Sequence, residues 1–346
     1  MPNYNPSNLA IGQASLTQSF QKGELRFRDP VVWKSLIANQ MFATPDYVSL
    51  RTREDRAYQV DFFTRTQRAL GSGRSHTHSG VKGDTQIVSP AFVTVNDDFY
   101  TSLKQADANR RTLQEMFNNE MLNTAINFVE GLEVLATDYL FSNRSGVNGV
   151  TAEGTFNAVS NTFDITNATS GDRSVQITNS TMDILKYQGM GLDLYCDTVS
   201  YNKFKYDFAQ GGGNSANLNF QFQEGNNTYY HAPELNASAD GLSYTKGYWL
   251  AVPKGMVVAL DWIPKQNREG IDSASIGGVA TYGNMLNPID GVTYATHTIW
   301  NGADETANNG YTQDTKEDIE ISLDYAFEKA PLTVANETVI QAFGLV

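Results

Sequence analysis

One stretch limits what this chain can fold into more than any other. From Leu113 onward, apolar residues recur at Phe117, Met121, Ala125, Phe128, Leu132, Leu135 and Tyr139. Their spacing of about 3.7 residues predicts one continuous amphipathic helix. Ser102-Leu103-Lys104-Gln105 has the form of a capping box, and Asp97 and Asp98 set negative charge ahead of it. Asn143, Ser145 and Gly146 supply a stop. Gly131 costs about 1 kcal/mol relative to alanine, a tolerable defect in so long a helix. From Ser102 to Phe141 the helix is about 60 Å long at 1.5 Å per residue. A globule of 346 residues is only about 50 Å across. The expected molecule is therefore flattened around this helix.

The segments before it do not look self-sufficient. Residues 1 to about 30 carry spaced Asn, Pro, Gly and Gln and are expected to form an extended arm. Pro30 to Ile37 predicts a short helix with proline in its first turn. Residues 51–68 alternate through Tyr58, Val60 and Phe62, and Thr85 to Val95 alternate through Ile87, Ala91, Val93 and Val95. Between them lies a tip with Gly71, Gly73, Gly80 and Gly83. The expectation is a long hairpin whose strands run about 35–45 Å at 3.3 Å per residue. A two-stranded ribbon of that length is not stable alone and leaves two edges open.

Beyond Val147 the pattern changes to short strands and turns. Phe163 to Ile165 and Ser174 to Ile177 are strand-like, and Asn179-Ser180-Thr181 can cap a helix. Leu192 to Tyr195 predicts a buried strand, with Asp197 capping a helix that ends at Gly211-Gly212-Gly213. Two strands are expected around Gly225-Asn226-Asn227, and two more around Pro253-Lys254-Gly255. Arg268 to Gln313 looks loop-rich, whereas Asp318 to Phe327 alternates throughout as a strand. Strands and helices mix without regular βαβ order, so the expected class is α+β.

Composition narrows the function. The chain is 40% apolar with 18% charged residues and 30 asparagines, and its mean hydropathy is −0.38. Charge is low against the roughly 25% usual in soluble domains. Amides and hydroxyls cost less to desolvate than charges, which suits surfaces covered by a neighbour. Net charge is −13, which disfavours tight binding of phosphate backbones. No apolar run is long enough to cross a bilayer. Met1 to Pro6 has neither a basic n-region nor an apolar core, so synthesis and folding in a cytosol is expected. The one cysteine, Cys196, reads as a small buried residue.

No catalytic, cofactor or metal constellation emerges. Gly71-Ser72-Gly73-Arg74 and Gly211-Gly212-Gly213-Asn214 lack the Lys-Ser/Thr of a phosphate loop. His76-Thr77-His78 has no nearby third and fourth ligand. His231 and His297 stand alone, Glu130 and Glu133 read as a solvated or paired helix face, and Glu320, Ser322 and Asp324 form the polar face of a strand. The chain is not expected to be an enzyme. Basic residues, in contrast, are concentrated. Residues 51–84 hold Arg51, Arg53, Arg56, Arg65, Arg68, Arg74 and Lys82 against four acidic groups, a net +3 in a chain that is otherwise −16. These seven are the candidate subunit-interface residues. A cationic projection onto the acidic surface of an identical neighbour is favoured over a nucleic-acid stripe.

An arm, a projecting hairpin, a molecule-length helix and a strand-rich remainder, in that order, resemble the major capsid protein of tailed double-stranded DNA bacteriophages, the Hong Kong 97 capsid fold. Tyr195-Cys196-Asp197, the run from Phe208 to Gly213 into Leu218 to Phe222, and Val252-Pro253-Lys254-Gly255 look like parts of its axial domain. The strand Ile319 to Ala330 looks like the return to its peripheral domain. The resemblance implies an N-terminal arm over 1–50, an extended hairpin loop over 51–98 and a peripheral domain with spine helix over 99–174. It further implies an axial domain over 175–316 and a return strand over 317–346. Function would be self-assembly, through pentamers and hexamers, into an icosahedral head enclosing double-stranded DNA, in the virion and assembled in the bacterial host cytoplasm. Partners would be identical subunits with portal, scaffolding and decoration proteins, and DNA would be cargo without specific binding. About a hundred residues precede the spine, already taken by arm and hairpin, so the scaffold would be a separate protein. An encapsulin-type compartment of the same fold, or a β-rich tail or adhesin component, is the alternative.

Overall fold

A computed structural model describes residues 7–40, 53–54, 56, 59–63, 74, 85–102, 112–145, 154–166, 191–211, 221–224, 226–269, 280–304, 313–331 and 339–346. In chain order these form α1 (Ser7–Gln21), α2 (Val31–Ala38), β1 (Val60–Phe63), β2 (Thr85–Val88), β3 (Val93–Ser102), α3 (Leu113–Ser142), β4 (Gly154–Asn157), β5 (Thr162–Ile165) and β6 (Leu192–Cys196). There follow α4 (Thr198–Gly211), β7 (Gln221–Glu224), β8 (Asn227–His231), α5 (Leu235–Gly241), β9 (Tyr248–Pro253), β10 (Val257–Trp262), α6 (Lys265–Glu269), β11 (Ala280–Leu286), β12 (Thr293–Asp304), β13 (Gln313–Lys329) and β14 (Gln341–Leu345).

The expected stripe builds α3: Phe117, Met121, Ala125, Phe128 and Leu132 are buried, Leu135 and Tyr139 are half-buried, and Leu140, which the stripe did not include, is buried. Burial of each large side chain is worth about 1.5–3 kcal/mol. The start lies later than Ser102, however. Ser102 closes β3, opposite Lys316, and the capping box is Thr112-x-x-Glu115. There the Glu115 N–H donates to Thr112 Oγ1 at 3.2 Å, and the Thr112 N–H donates to Glu115 Oε2 at 2.9 Å. At the other end Asn143 Nδ2 donates to the Tyr139 carbonyl at 2.9 Å. Thirty residues make α3 about 45 Å long.

Two helices lie against α3, and one of them corrects the expected extended arm. Residues 7–21 are helical as α1. Its contact stripe is thin, Leu9 and Leu16 with Gly12 between, so periodicity was easily missed. The glycine is what permits docking: a Cβ on Gly12 would stand 2.7 Å from Phe117 Cε1. The expected helix after Pro30 is α2, with Trp33 and Leu36 wholly buried.

The hairpin is present but shorter where described. β1 and β2 pair antiparallel from Val60↔Val88 to Phe63↔Thr85. The expected single strand from Thr85 to Val95 is broken at Pro90, which has no N–H to offer a ladder. Beyond it β3 leaves the ribbon and pairs with β13. The wide tip expected between β1 and β2 lies outside the described residues except Arg74.

β13 organises a five-stranded sheet. β12 and β10 follow one another along one of its edges, β3 lies on the other, and β11 pairs with β12. The β11–β12 hairpin corrects the loop-rich reading of residues 268–313. Its turn, Asn287-Pro288-Ile289-Asp290-Gly291 with Gly291 at φ +74°, has turn-forming Asn, Pro, Asp and Gly, while Thr, Tyr and Ile carry the strands. The seven-stranded sheet runs β4-β5-β14-β9-β6-β8-β7. β9 and β10 flank the expected tight turn, where Gly255 takes φ +77°, but enter different sheets. Strands between residues 175 and 316 thus serve both sheets.

One face of the seven-stranded sheet packs on α4 through Leu194, Cys196, Phe204 and Trp249. The other face joins α1, α2, α3 and the five-stranded sheet in the main core. Asp197 caps α4 as expected, accepting the Ser200 N–H at 2.6 Å.

Candidate assembly surface

The base of the hairpin is fastened to the outward face of the five-stranded sheet. The Arg53 carbonyl accepts from Arg268 Nη2 at 2.6 Å and from Trp262 Nε1 at 3.4 Å. Glu54 pairs with Lys265, which holds its carboxyl below the usual carboxylate range. Arg56 Nη1 reaches Asp324 Oδ1 at 2.9 Å and Thr94 Oγ1 at 3.2 Å. Its guanidinium lies 5.9 Å from the Trp262 ring centroid, within cation–π range. Trp262, Asp324 and Thr94 are directly opposite one another on β10, β13 and β3, so they share one face of the sheet.

The seven basic candidates thus separate. Arg53 and Arg56 belong to this root and are engaged within the chain, while Arg74 is exposed. Arg51, Arg65, Arg68 and Lys82 lie outside the described residues. The receiving groups, Trp262, Lys265, Arg268 and Asp324, were not singled out as partners from sequence. Asp324 was legible only as the polar side of an alternating strand, and nothing local links it to residue 56.

Past the root, the outward face carries Asn96, Asp98 and Tyr100 from β3 and Asp318 and Glu320 from β13. Tyr100 is 55% exposed, and Val93 and Ile87 nearby are 54% and 58% exposed. Among the described residues no strand pairs with the second edge of β3. Beside it opens a cleft of about 260 Å³ lined by Val95, Asp97, Asn127, Phe128, Gly131 and Leu135.

Other candidates are structural. Glu133 is buried, not on a solvated helix face. Its carboxylate accepts the Val32 and Trp33 N–H groups at 3.1 and 2.8 Å, and burial raises its pKa to about 7 despite those bonds. Glu130 accepts the Arg28 N–H at 3.4 Å. His231 Nε2 lies 3.0 Å from Thr198 Oγ1, and His297 stacks on Tyr282. Cys196 is buried as expected, with its thiol pKa pushed up by desolvation. His76 and His78 lie outside the described residues. Among the described residues, no group of metal-ligating side chains is assembled and no helix is long and apolar enough to cross a membrane.

No protein-family model matches the chain, and no curated protein matches it by sequence. Solved structures do match. A chain from Mycobacterium phage Che8 is 8% identical with TM-score 0.51, over 92% of this chain and 93% of that one. The Cyanophage Pam1 capsid asymmetric unit matches at 10% identity and TM-score 0.49, over 86% and 87%. The asymmetric unit of the mature capsid of bacteriophage PhiM1 matches at 11% and 0.44, over 84% and 82%. With an α-helical spine between two sheets and a ribbon rooted at Arg56, the chain has the phage major capsid fold.

Proposed function

We propose that this chain is a structural subunit of a phage head. It assembles through pentamers and hexamers into an icosahedral shell around double-stranded DNA and carries out no catalysis. The observation that carries this reading is the ribbon. β1 and β2 pair only with each other among the described residues, and such a ribbon is not stable without a cover. Its root is clamped to the sheet by Arg53, Glu54 and Arg56, so what remains to be covered falls to a neighbour. The fold shared with the Che8 chain supports the same reading. A net charge of −13 suits a wall that encloses DNA without gripping it. Identical subunits are the main partners, with portal, scaffolding and decoration proteins joining the finished head.

Size-exclusion chromatography with negative-stain electron microscopy tests the proposal. Closed shells holding nuclease-protected DNA, in particles recovered from infected cells, are the expected result. Shells filled with a cargo enzyme in place of DNA would favour the compartment alternative, and a chain that stays monomeric at assembly concentrations would remove both.

A further inference from the structure

Of the acidic rungs on the outward face of the five-stranded sheet, two differ in what the chain supplies to them. At the first, Asp324 and Thr94 receive Arg56 beneath the Trp262 ring. Along the same face, about 13 Å away at 3.3 Å per residue, Glu320 on β13 lies directly opposite Asp98 on β3. Neither carboxylate has a basic partner among the described residues. Like charges in directly opposed positions destabilise a sheet, so the isolated chain bears a cost here that a cation would remove. The rung continues to His297, opposite Glu320, and to Tyr282, opposite His297. Their rings stack with centroids 4.6 Å apart and planes at 21°. Both rungs therefore present a β13 carboxylate, a polar β3 group and an aromatic plate.

We propose that the Asp98–Glu320 rung is the docking site for an arginine from the hairpin of a second copy, residues 51–84. The inference rests on the assembly reading above and adds to it the receiving residues. Charge complementarity favours the occupant: residues 51–84 are net +3 in a chain that is −16 elsewhere. Its own copy is a poor source, because the root is tied at Thr94 and β3 runs on from there toward Asp98. A guanidinium fits the opposed carboxylates as a fork and stacks on the flanking rings, the chemistry Arg56 already performs one site away.

The test uses full-length protein and follows assembly against concentration. Asp98→Lys with Glu320→Lys should raise the concentration needed for shells by roughly tenfold or more, with the thermal melt of dissociated subunits unchanged. Adding Arg65→Glu, Arg68→Glu and Arg74→Glu should restore assembly. Should the double lysine variant melt early, Asp98→Asn with Glu320→Gln replaces it. In a mixture of Asp98→Cys and Arg74→Cys chains, oxidation should yield disulfide-linked dimers of one chain of each kind, Cys196 being buried. Wild-type assembly by the charge-altered chain, or failure of the reversed hairpin to restore it, overturns the proposal and leaves the assembly reading standing. A wild-type chain that forms no shells overturns both.

Discussion

The Glu133 carboxylate on α3 accepts two successive backbone donors from the first turn of α2, Val32 at 3.1 Å and Trp33 at 2.8 Å. This one side chain ties the short helix to the long one. Around it, Trp33 Nε1 donates to Asp290 at 3.1 Å, Ser35 Oγ lies 2.7 Å from Tyr195 Oη, and Gln40 bonds Asp261 at 2.9 Å. α2 is thereby fastened to both sheets and to the β11–β12 turn. A helix of eight residues has little stability of its own, so these bonds and the buried Trp33 and Leu36 must hold it.

The bond sets a pH dependence. Burial raises the Glu133 pKa to about 7, opposed by the two N–H donors; Asp29 raises it slightly and Lys34 lowers it slightly. Asp193 is raised to about 6, also by burial, against the pull of Lys254. Both folded values lie above those of an unfolded chain, so the native state binds more protons and stability falls as pH rises. The contribution is full below about pH 4.5 and lost through pH 7. Dissociated subunits should therefore lose on the order of 3 kcal/mol between pH 5 and 8. Denaturant melts of Glu133→Gln should show most of that slope abolished; an unchanged slope would remove Glu133 as its source.

Signals that were local in the chain were legible, and those that depend on distant partners were not. The stripe from Phe117 to Tyr139 identified α3 without help from the rest of the fold. Its start was misplaced because Ser102-x-x-Gln105 imitates the box that Thr112-x-x-Glu115 forms. Asp97 and Asp98, read as charge before a helix, are strand residues because β13 pairs with them from more than two hundred positions away. β11 and β12 were hidden by the turn Asn287-Pro288-Ile289-Asp290-Gly291 between them. The hairpin's positive charge was visible, yet its anchor was not, since Arg56 and Asp324 are 268 positions apart.

Gly12 tests whether the first helix is docked, as found, or extended, as the sequence suggested. Its Cβ position is 2.7 Å from Phe117 Cε1 and 3.3 Å from Met121 Cγ, both of them buried side chains. Gly12→Leu should cost about 1–3 kcal/mol through overpacking. Amide protection of residues 9–20 should fall toward that of a free peptide while α3 stays protected. An extended arm would accept leucine with no change in either.

Arg56 separates local from global stability. Its side chain is 46% exposed and its partner Asp324 only 8%. Solvent screening on the arginine side limits the pair's worth to about 1 kcal/mol or less. Arg56→Ala should thus lower the subunit melting temperature only slightly, because the Asp324 backbone stays in the ladder between Trp262 and Thr94. The ribbon is affected differently, since besides Arg56 the anchors recorded at its root are Glu54 and the Arg53 carbonyl. Hydrogen exchange at Val60 to Phe63 and Thr85 to Val88 should speed up by up to roughly fivefold, the equivalent of about 1 kcal/mol of local opening. Exchange in β10 and β13 should hardly move. Equal acceleration in ribbon and sheet would mean that Arg56 supports the sheet itself, and no acceleration in the ribbon would mean that the root holds without it.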